Sequence, residues 1–556
     1  MLKSPQTQNS TPLPWSASAL VLFFCLFGNL GAVGLVGPDE PRYVWIARAM
    51  ARSGDWVTPR LYGEPWFEKP VLYYWLAAIG FRLNLPAEWA ARLPSALAAL
   101  AAALAIGWLA SKHYEARPAA ITALAPVLFA TTVGAIGFAR AATPDMLFSA
   151  FLALAMASAA TVLRCERLPS ADGRSAKQSN SLPLICFGAF LGFAVLAKGP
   201  AAIILAGGAL AIWVLITQHW RAAAKFFHPL ALASFCVIAL PWYALCALRN
   251  PDFLRVFILQ HNFERYLTPV FQHPQPFWFF IPITLLALLP WTVLLWPAAR
   301  EGMRLWREKS WKDSPGLFFA CWAVFPVLFF SFSQSKLPSY ILPAVAPLAL
   351  ICAMAFAGVV ASPASQTVLK WTGAAIAAIW LSLGLSAVIW LHRLPAVEHD
   401  ALRNSVWVAV AIAIIGALST AFLAWHGNPD FVKLSVGLVT LLVIVAGFGV
   451  LPHLDPFISG RWHAQLLRND RHPERIFTYH LPRAWDYGLA FYFGRELPEW
   501  SPDDPNPALV LTTPRSMAEI RKARRFFGDL EENYQGILYV PIQPMPRSSA
   551  PNPSPH

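Results

Sequence analysis

Hydrophobic residues fall in long blocks along most of this chain, broken by short polar stretches. A bilayer core takes roughly 20 apolar residues per helix, and about thirteen blocks approach that length. They lie near residues 15–37, 91–110, 118–137, 146–163, 182–197, 200–217, 229–248, 277–297, 316–333, 340–359, 371–391, 405–425 and 431–451. No small-residue cleavage site follows the first block, so a retained helix is expected there rather than a signal peptide. From about residue 452 the pattern changes: "ALVLTT" (508–513) and "GILYVPI" (536–542) read as strands, and "SMAEIRKARRFFGDL" (516–530) reads as a helix. The expected architecture is an all-α polytopic membrane domain (1–451), a small soluble α/β domain (452–545) and a disordered end (546–556).

Composition agrees with the pattern. Of 556 residues, 57% are hydrophobic and 13% charged, which is too apolar for a soluble protein of this size. The net charge of +13 does not call for nucleic acid. The Lys and Arg residues collect in the short loops 110–118, 163–180, 218–229 and 298–314, as cytoplasmic loops do. The alternate loops, 38–90, 138–146, the turn at 198, 249–276 and 334–340, are then expected on the outer side together with the tail. Seven cysteines are scattered without CxxC or ligand spacing, which argues against a disulfide framework or zinc ribbon. The absence of an internal repeat, and acids at span edges rather than mid-span, count against a transporter.

The outward loops hold the unusual chemistry. The first block ends in "GLVGPDEPRYVWIARAM" (34–50), where Asp39 and Glu40 stand between prolines. The loop 38–90 contains two amphipathic helical pieces, one from Pro41 and one over 69–81, of the kind that lie in an interface. Between them sits "GEPWFEKP" (63–70). Helix capping is the plain reading of Asp39 and Glu40, and Glu40 fits that role better. Arg42 is placed to hold Asp39 by a charge-assisted bond. Asp145 in "ATPDML" and Lys198 in "AKGP" each mark the outer end of a span, where a charge needs a reason.

The order of "DEPRY", "SGDW", "GEPWFEKP", "ARLPSAL" (91–97), "RAATPDMLF" (140–148), "LAKGP" (196–200), "HNFERY" (261–266), "HPQPFWFFIP" (273–282), "SQSKLPSYILP" (333–343) and "AFYFGR" (490–495) resembles the aminoarabinose transferase family. These are polyprenyl-phosphate-dependent glycosyltransferases of the GT-C fold, related to the protein O-mannosyltransferases. The resemblance spans about residues 15–495. It implies an inner-membrane enzyme moving a sugar, 4-amino-4-deoxy-L-arabinose, from undecaprenyl phosphate to lipid A phosphate on the periplasmic side. A hexose or uronic acid donor, or a protein hydroxyl acceptor, are the alternatives within the class.

By the same resemblance, Asp39 is the acceptor-side carboxylate. It is a base toward a hydroxyl acceptor, and a positioning or charge-balancing group toward a phosphate. Asp145, Arg42 and Glu40 join it as catalytic candidates. Lys69, Arg265, Tyr340 and Lys198 are the donor-phosphate set, supplying the cations and donors that a leaving phosphate needs. Glu68 with His261, and His273 beyond, are candidates for a divalent cation. Lys336 reads as a solvated loop lysine. Trp66 and Trp75 lie near the loop, but no sugar-stacking role is assigned to them.

Overall fold

The structure is a computed structural model that describes residues 14–113, 118–165, 180–264, 266, 275–362, 365–394, 396–468, 475–504, 506–522, 533–534 and 536–542. Among these, eight helices are long and apolar enough to cross a membrane. Two further apolar pairs are bent, Ile121–Ala130 with Val133–Ala139 by 65° and Phe277–Ala287 with Trp291–Arg307 by 104°. Three shorter apolar helices, Trp15–Phe27, Ala201–Thr217 and Pro315–Ser331, complete the set. Every block read from the hydrophobic pattern falls on one of these units, and the chain is a multi-pass membrane protein. The span Asp145–Arg164 is the innermost, 83% buried in its apolar window, whereas Pro229–Arg249 is 22% buried and faces outward. Leu248 on this span, and Leu385, Leu418 and Phe422 on the spans Gln366–His392 and His399–Trp425, are exposed, as lipid-facing residues are.

Four helices and a hairpin prepare the site. Helix α1 (Trp15–Phe27) leads through an irregular stretch into α2 (Asp39–Ser53), which carries Pro41 in its first turn, where a proline's missing N–H is no loss. After α2 comes a short hairpin, β1 (Arg60–Leu61) with β2 (Glu64–Pro65). Its two turn residues, Tyr62 and Gly63, have φ of 52° and 95°, the left-handed pair that a two-residue hairpin turn requires. The Trp66 amide donates to the Pro59 carbonyl at 2.8 Å, so the hairpin delivers Glu68 and Lys69 at a fixed place. Helix α3 (Leu72–Arg82) then turns back into the long span α4 (Ala87–His113).

The tail builds a four-stranded sheet from β3 (Ile476–Thr478), β4 (Ala508–Thr512), β5 (Asn533–Tyr534) and β6 (Ile537–Ile542), in the order β3-β4-β6-β5. Strand β3 runs parallel to β4, and the other two pairings are antiparallel. Alternate residues serve two faces. Val510 and Val540 pack with Trp500 and Ile520 on one side, and Leu511 and Ile537 with Leu467 and Leu489 on the other. Strands β4 and β6 stand where the sequence places strands. The helix expected over 516–530 is described as Met517–Lys522, and 523–530 lies outside the described residues, as does 546–556. The last span continues to Ile458, past the expected boundary at 451.

Candidate active site

Asp39 opens α2 and is half exposed, with 50% of its side chain accessible. One helical turn on, Arg42 reaches back to it, as the i, i+3 spacing allows. The same guanidinium binds Glu68 at 3.1 Å and lies against the rings of Tyr43, Trp66 and Tyr487. Burial opposes the charge on Arg42, but Glu68, and beyond it Asp39, hold the guanidinium above its ordinary pKa. Glu68 also meets Lys69 at 3.2 Å and the Tyr43 hydroxyl at 3.5 Å. Burial, reinforced by Glu68, raises the Tyr43 and Tyr74 hydroxyls well above the ordinary phenol value, so both remain neutral donors. The Tyr74 hydroxyl, the Trp66 indole N–H and the Arg42 Nε are buried without a hydrogen-bond acceptor among the described residues.

A second cluster adjoins the first. Asp145 begins the innermost span and pairs with Lys198 at the end of Ser181–Lys198. The Ser339 hydroxyl bonds the same carboxylate, and the charge of Lys69 acts on it. Tyr340, 9% exposed, lies with its ring 4.9 Å from the Lys198 ammonium. Asp39, Arg42, Glu68, Lys69, Asp145 and Lys198 thus form one line of alternating charge at one end of the helices. The loops that the sequence assigns to a single side of the membrane meet here.

Glu40 departs from both of its sequence expectations. No side chain caps α2, and Glu40 turns inward, away from Asp39. Its oxygens accept from the amides of Val36 at 2.8 Å and Ala142 at 2.7 Å, and from Arg92 at 2.7 Å. Arg92, 3% exposed, spends its other donors on the carbonyls of Leu30, Val33 and Gly34. The pair is a buried, fully bonded brace for the stretch before Asp39, and its acid is spent on structure.

The tail supplies a second brace. Asp455 accepts from the Gly34 amide at 2.6 Å and from Arg461 at 2.9 Å. Arg461 reaches the carbonyls of Gly31 and Ala32 and the carboxylate of Glu88. Tyr492 donates to Glu88 at 2.8 Å and accepts from the Leu35 amide at 2.8 Å. A Cβ on Gly34 would lie 2.4 Å from the Ser459 Oγ and 2.8 Å from the Tyr492 hydroxyl, so only glycine fits. Alongside it, Arg48 of α2 packs 4.0 Å over the Phe491 ring and donates to its carbonyl, with burial bringing its pKa down to about 10.

The motifs "ARLPSAL" and "AFYFGR" contain Arg92 and Tyr492, to which the sequence pattern assigns no role. An arginine inside an apolar span was the available signal, because it needs partners there. Arg265 and His273 lie outside the described residues. His261 sits on the π-helical run Arg255–Glu264. Among the described residues no group of three His, Cys, Asp or Glu side chains is arranged to hold a metal. Glu68 meets two cations, Arg42 and Lys69, which is a poor fit to a metal ligand. The Trp75 indole is used by the Trp56 carbonyl at 2.7 Å. Lys336 is buried, against its expectation as a solvated loop residue.

A helical membrane domain with its charged cluster at one end and a small mixed sheet in its tail has the architecture of the GT-C fold. The crystal structure of ArnT from Cupriavidus metallidurans bound to undecaprenyl phosphate superposes with a TM-score of 0.76 at 24% identity, covering 95% of this chain and 97% of that one. The dolichyl-phosphate-mannose-protein mannosyltransferase family profile matches residues 17–257. The undecaprenyl phosphate-α-4-amino-4-deoxy-L-arabinose arabinosyl transferase of Edwardsiella ictaluri (strain 93-146) is 35% identical over 57% of this chain, and the aligned part is 54% of that protein's length. The same-named protein of Yersinia pestis (strain Pestoides F) is 31% identical over 78% of this chain and 76% of its own length. The chain belongs to the undecaprenyl phosphate-aminoarabinose arabinosyl transferase family.

Proposed function

We propose that this protein transfers 4-amino-4-deoxy-L-arabinose from undecaprenyl phosphate to a phosphate of lipid A, at the periplasmic face of the bacterial inner membrane. The observation that carries the reading is the line of three carboxylates and three cations at one end of the spans, with Asp39 the accessible member. An acceptor phosphate oxygen attacks the anomeric carbon of the sugar. The new oxygen–carbon bond forms as the bond from that carbon to the carrier phosphate breaks, and the electron pair leaves with the carrier. Lys69, Lys198 and the Tyr340 hydroxyl are the groups in reach to stabilise that leaving charge. A phosphate acceptor brings no proton that must be removed, so Asp39 orients the acceptor or balances the developing positive charge on the sugar ring. Arg42 fixes the Asp39 carboxylate for that work. Adding a cationic sugar to lipid A lowers the negative charge of the outer leaflet and weakens cationic peptide binding, including polymyxin.

The mannosyltransferase profile over residues 17–257 favours one second reading, a hydroxyl acceptor with Asp39 as general base. Both are tested in a strain that makes the lipid-linked aminoarabinose but lacks its own transferase. Wild type should add one aminopentose mass to lipid A, and Asp39→Asn at equal membrane level should lose at least about 100-fold. No mass gain with well-expressed wild type would reject the aminoarabinose–lipid A assignment.

A further inference from the structure

Lys336 lies in the turn between Pro315–Ser331 and the span that starts at Pro338, and is 7% exposed. Its ammonium donates to the Ser333 carbonyl, and no Asp or Glu lies within ion-pair distance of it among the described residues. Arg42, Lys69 and Lys198 differ, since each already faces a carboxylate. Next to Lys336, Ser335 is 1% exposed and its hydroxyl has no partner. An ammonium has three donors, and burying its charge against one neutral acceptor is costly. Burial pulls its pKa below the ordinary lysine value. An anion with several acceptor oxygens would use both the spare N–H groups and the adjacent hydroxyl.

The surroundings narrow the anion. Three residues on, Ser339 meets Asp145, and one further, Tyr340 lies beneath Lys198. Three residues span at most about 10 Å, so Lys336 is within a side chain's reach of the cluster. Beside the turn, Phe332 is 66% exposed and Phe277 54% exposed, their rings 5.1 Å apart. A buried cation beside exposed apolar rings suits an anionic head with a long apolar tail. We propose that Lys336, with the Ser335 hydroxyl, binds a lipid-borne phosphate beside the Asp145–Lys198 pair. The inference rests on the transferase reading above, and makes Lys336 a further phosphate-binding residue of that reaction.

The test uses purified full-length protein in phosphatidylcholine nanodiscs, with Lys336→Met and Lys336→Arg. Undecaprenyl phosphate is titrated in one arm and lipid A in the other, and the melting temperature is read with and without each lipid. Lys336→Met should bind undecaprenyl phosphate about tenfold to hundredfold more weakly, while Lys336→Arg stays within a few-fold. Without either lipid, Lys336→Met should melt no lower than wild type, because a costly buried charge has been removed. A loss seen only with lipid A would support the site and assign its phosphate to the acceptor. Affinities for both lipids equal to wild type would overturn the proposal alone, whether or not the variant melts lower. A folded wild type that binds neither lipid would overturn the transferase reading together with it.

Discussion

Asp39 and Glu40 are neighbours in sequence with opposite surroundings. Their side chains are 50% and 9% exposed; Asp39 shares Arg42 with Glu68, whereas Glu40 is the one carboxylate among the described residues paired with Arg92, whose side chain is 4% exposed. Replacing Asp39 by Asn should leave the melting temperature within a degree or two while removing transfer. Replacing Glu40 by Gln leaves the Arg92 charge buried without its counter-charge. Removing one partner of such a pair costs about 3–5 kcal/mol, which thermal unfolding in detergent would read as a drop of many degrees. Equal melting of the two variants would refute the division of roles. Lys198→Met should likewise strand Asp145, and Asp145→Asn on that background should restore much of the lost stability but none of the activity, a coupling that a double-mutant cycle measures. The charged residues at the ends of apolar blocks were legible in sequence because each has so few explanations. The inward turn of Glu40 was not, because its partner Arg92 is remote in sequence. Nor was the burial of Lys336, which depends on how one turn packs between helices.

At the scale of elements, block length sufficed to find the helices, since backbone polar groups in lipid must be satisfied within the helix. It could not report the 65° and 104° bends or the π-helical run Arg255–Glu264, which depend on neighbours. The β1–β2 hairpin was equally hidden, being only two residues per strand. The most consequential element is the irregular stretch between α1 and α2. Its carbonyls and amides are held by side chains from both α4 and the tail rather than by its own ladder. Gly34→Ala introduces a Cβ at 2.4 Å from the Ser459 Oγ and should separate that stretch from the tail. Limited proteolysis should then cut between residues 450 and 500 at least tenfold faster than in wild type, with transfer reduced in parallel. Unchanged cleavage and activity would mean that the contact is slack.

Across the whole molecule, hydropathy made the layered plan legible: spans, one charged face and a polar tail. It was silent on the tail's purpose, because nothing in a local pattern links residues 455–492 to residues 31–36. Those contacts close separations of 421 residues at Gly34–Asp455 and 457 at Leu35–Tyr492. A chain stopped after Val450 would keep Asp39, Arg42, Glu68, Lys69, Asp145, Lys198 and Tyr340, and is expected to fall below about 1% of wild-type lipid A modification by mass spectrometry. A membrane protein is threaded into the bilayer from its first span onward, at about 5–20 residues per second. The stretch that aims Asp39 is made first and can be fastened only after nearly everything else has been translated. The geometry of the site is therefore among the last things the growing chain acquires: from the emergence of Tyr340 to that of Tyr492 the ribosome holds a chain with these charged groups all made and the stretch that aims Asp39 not yet fastened.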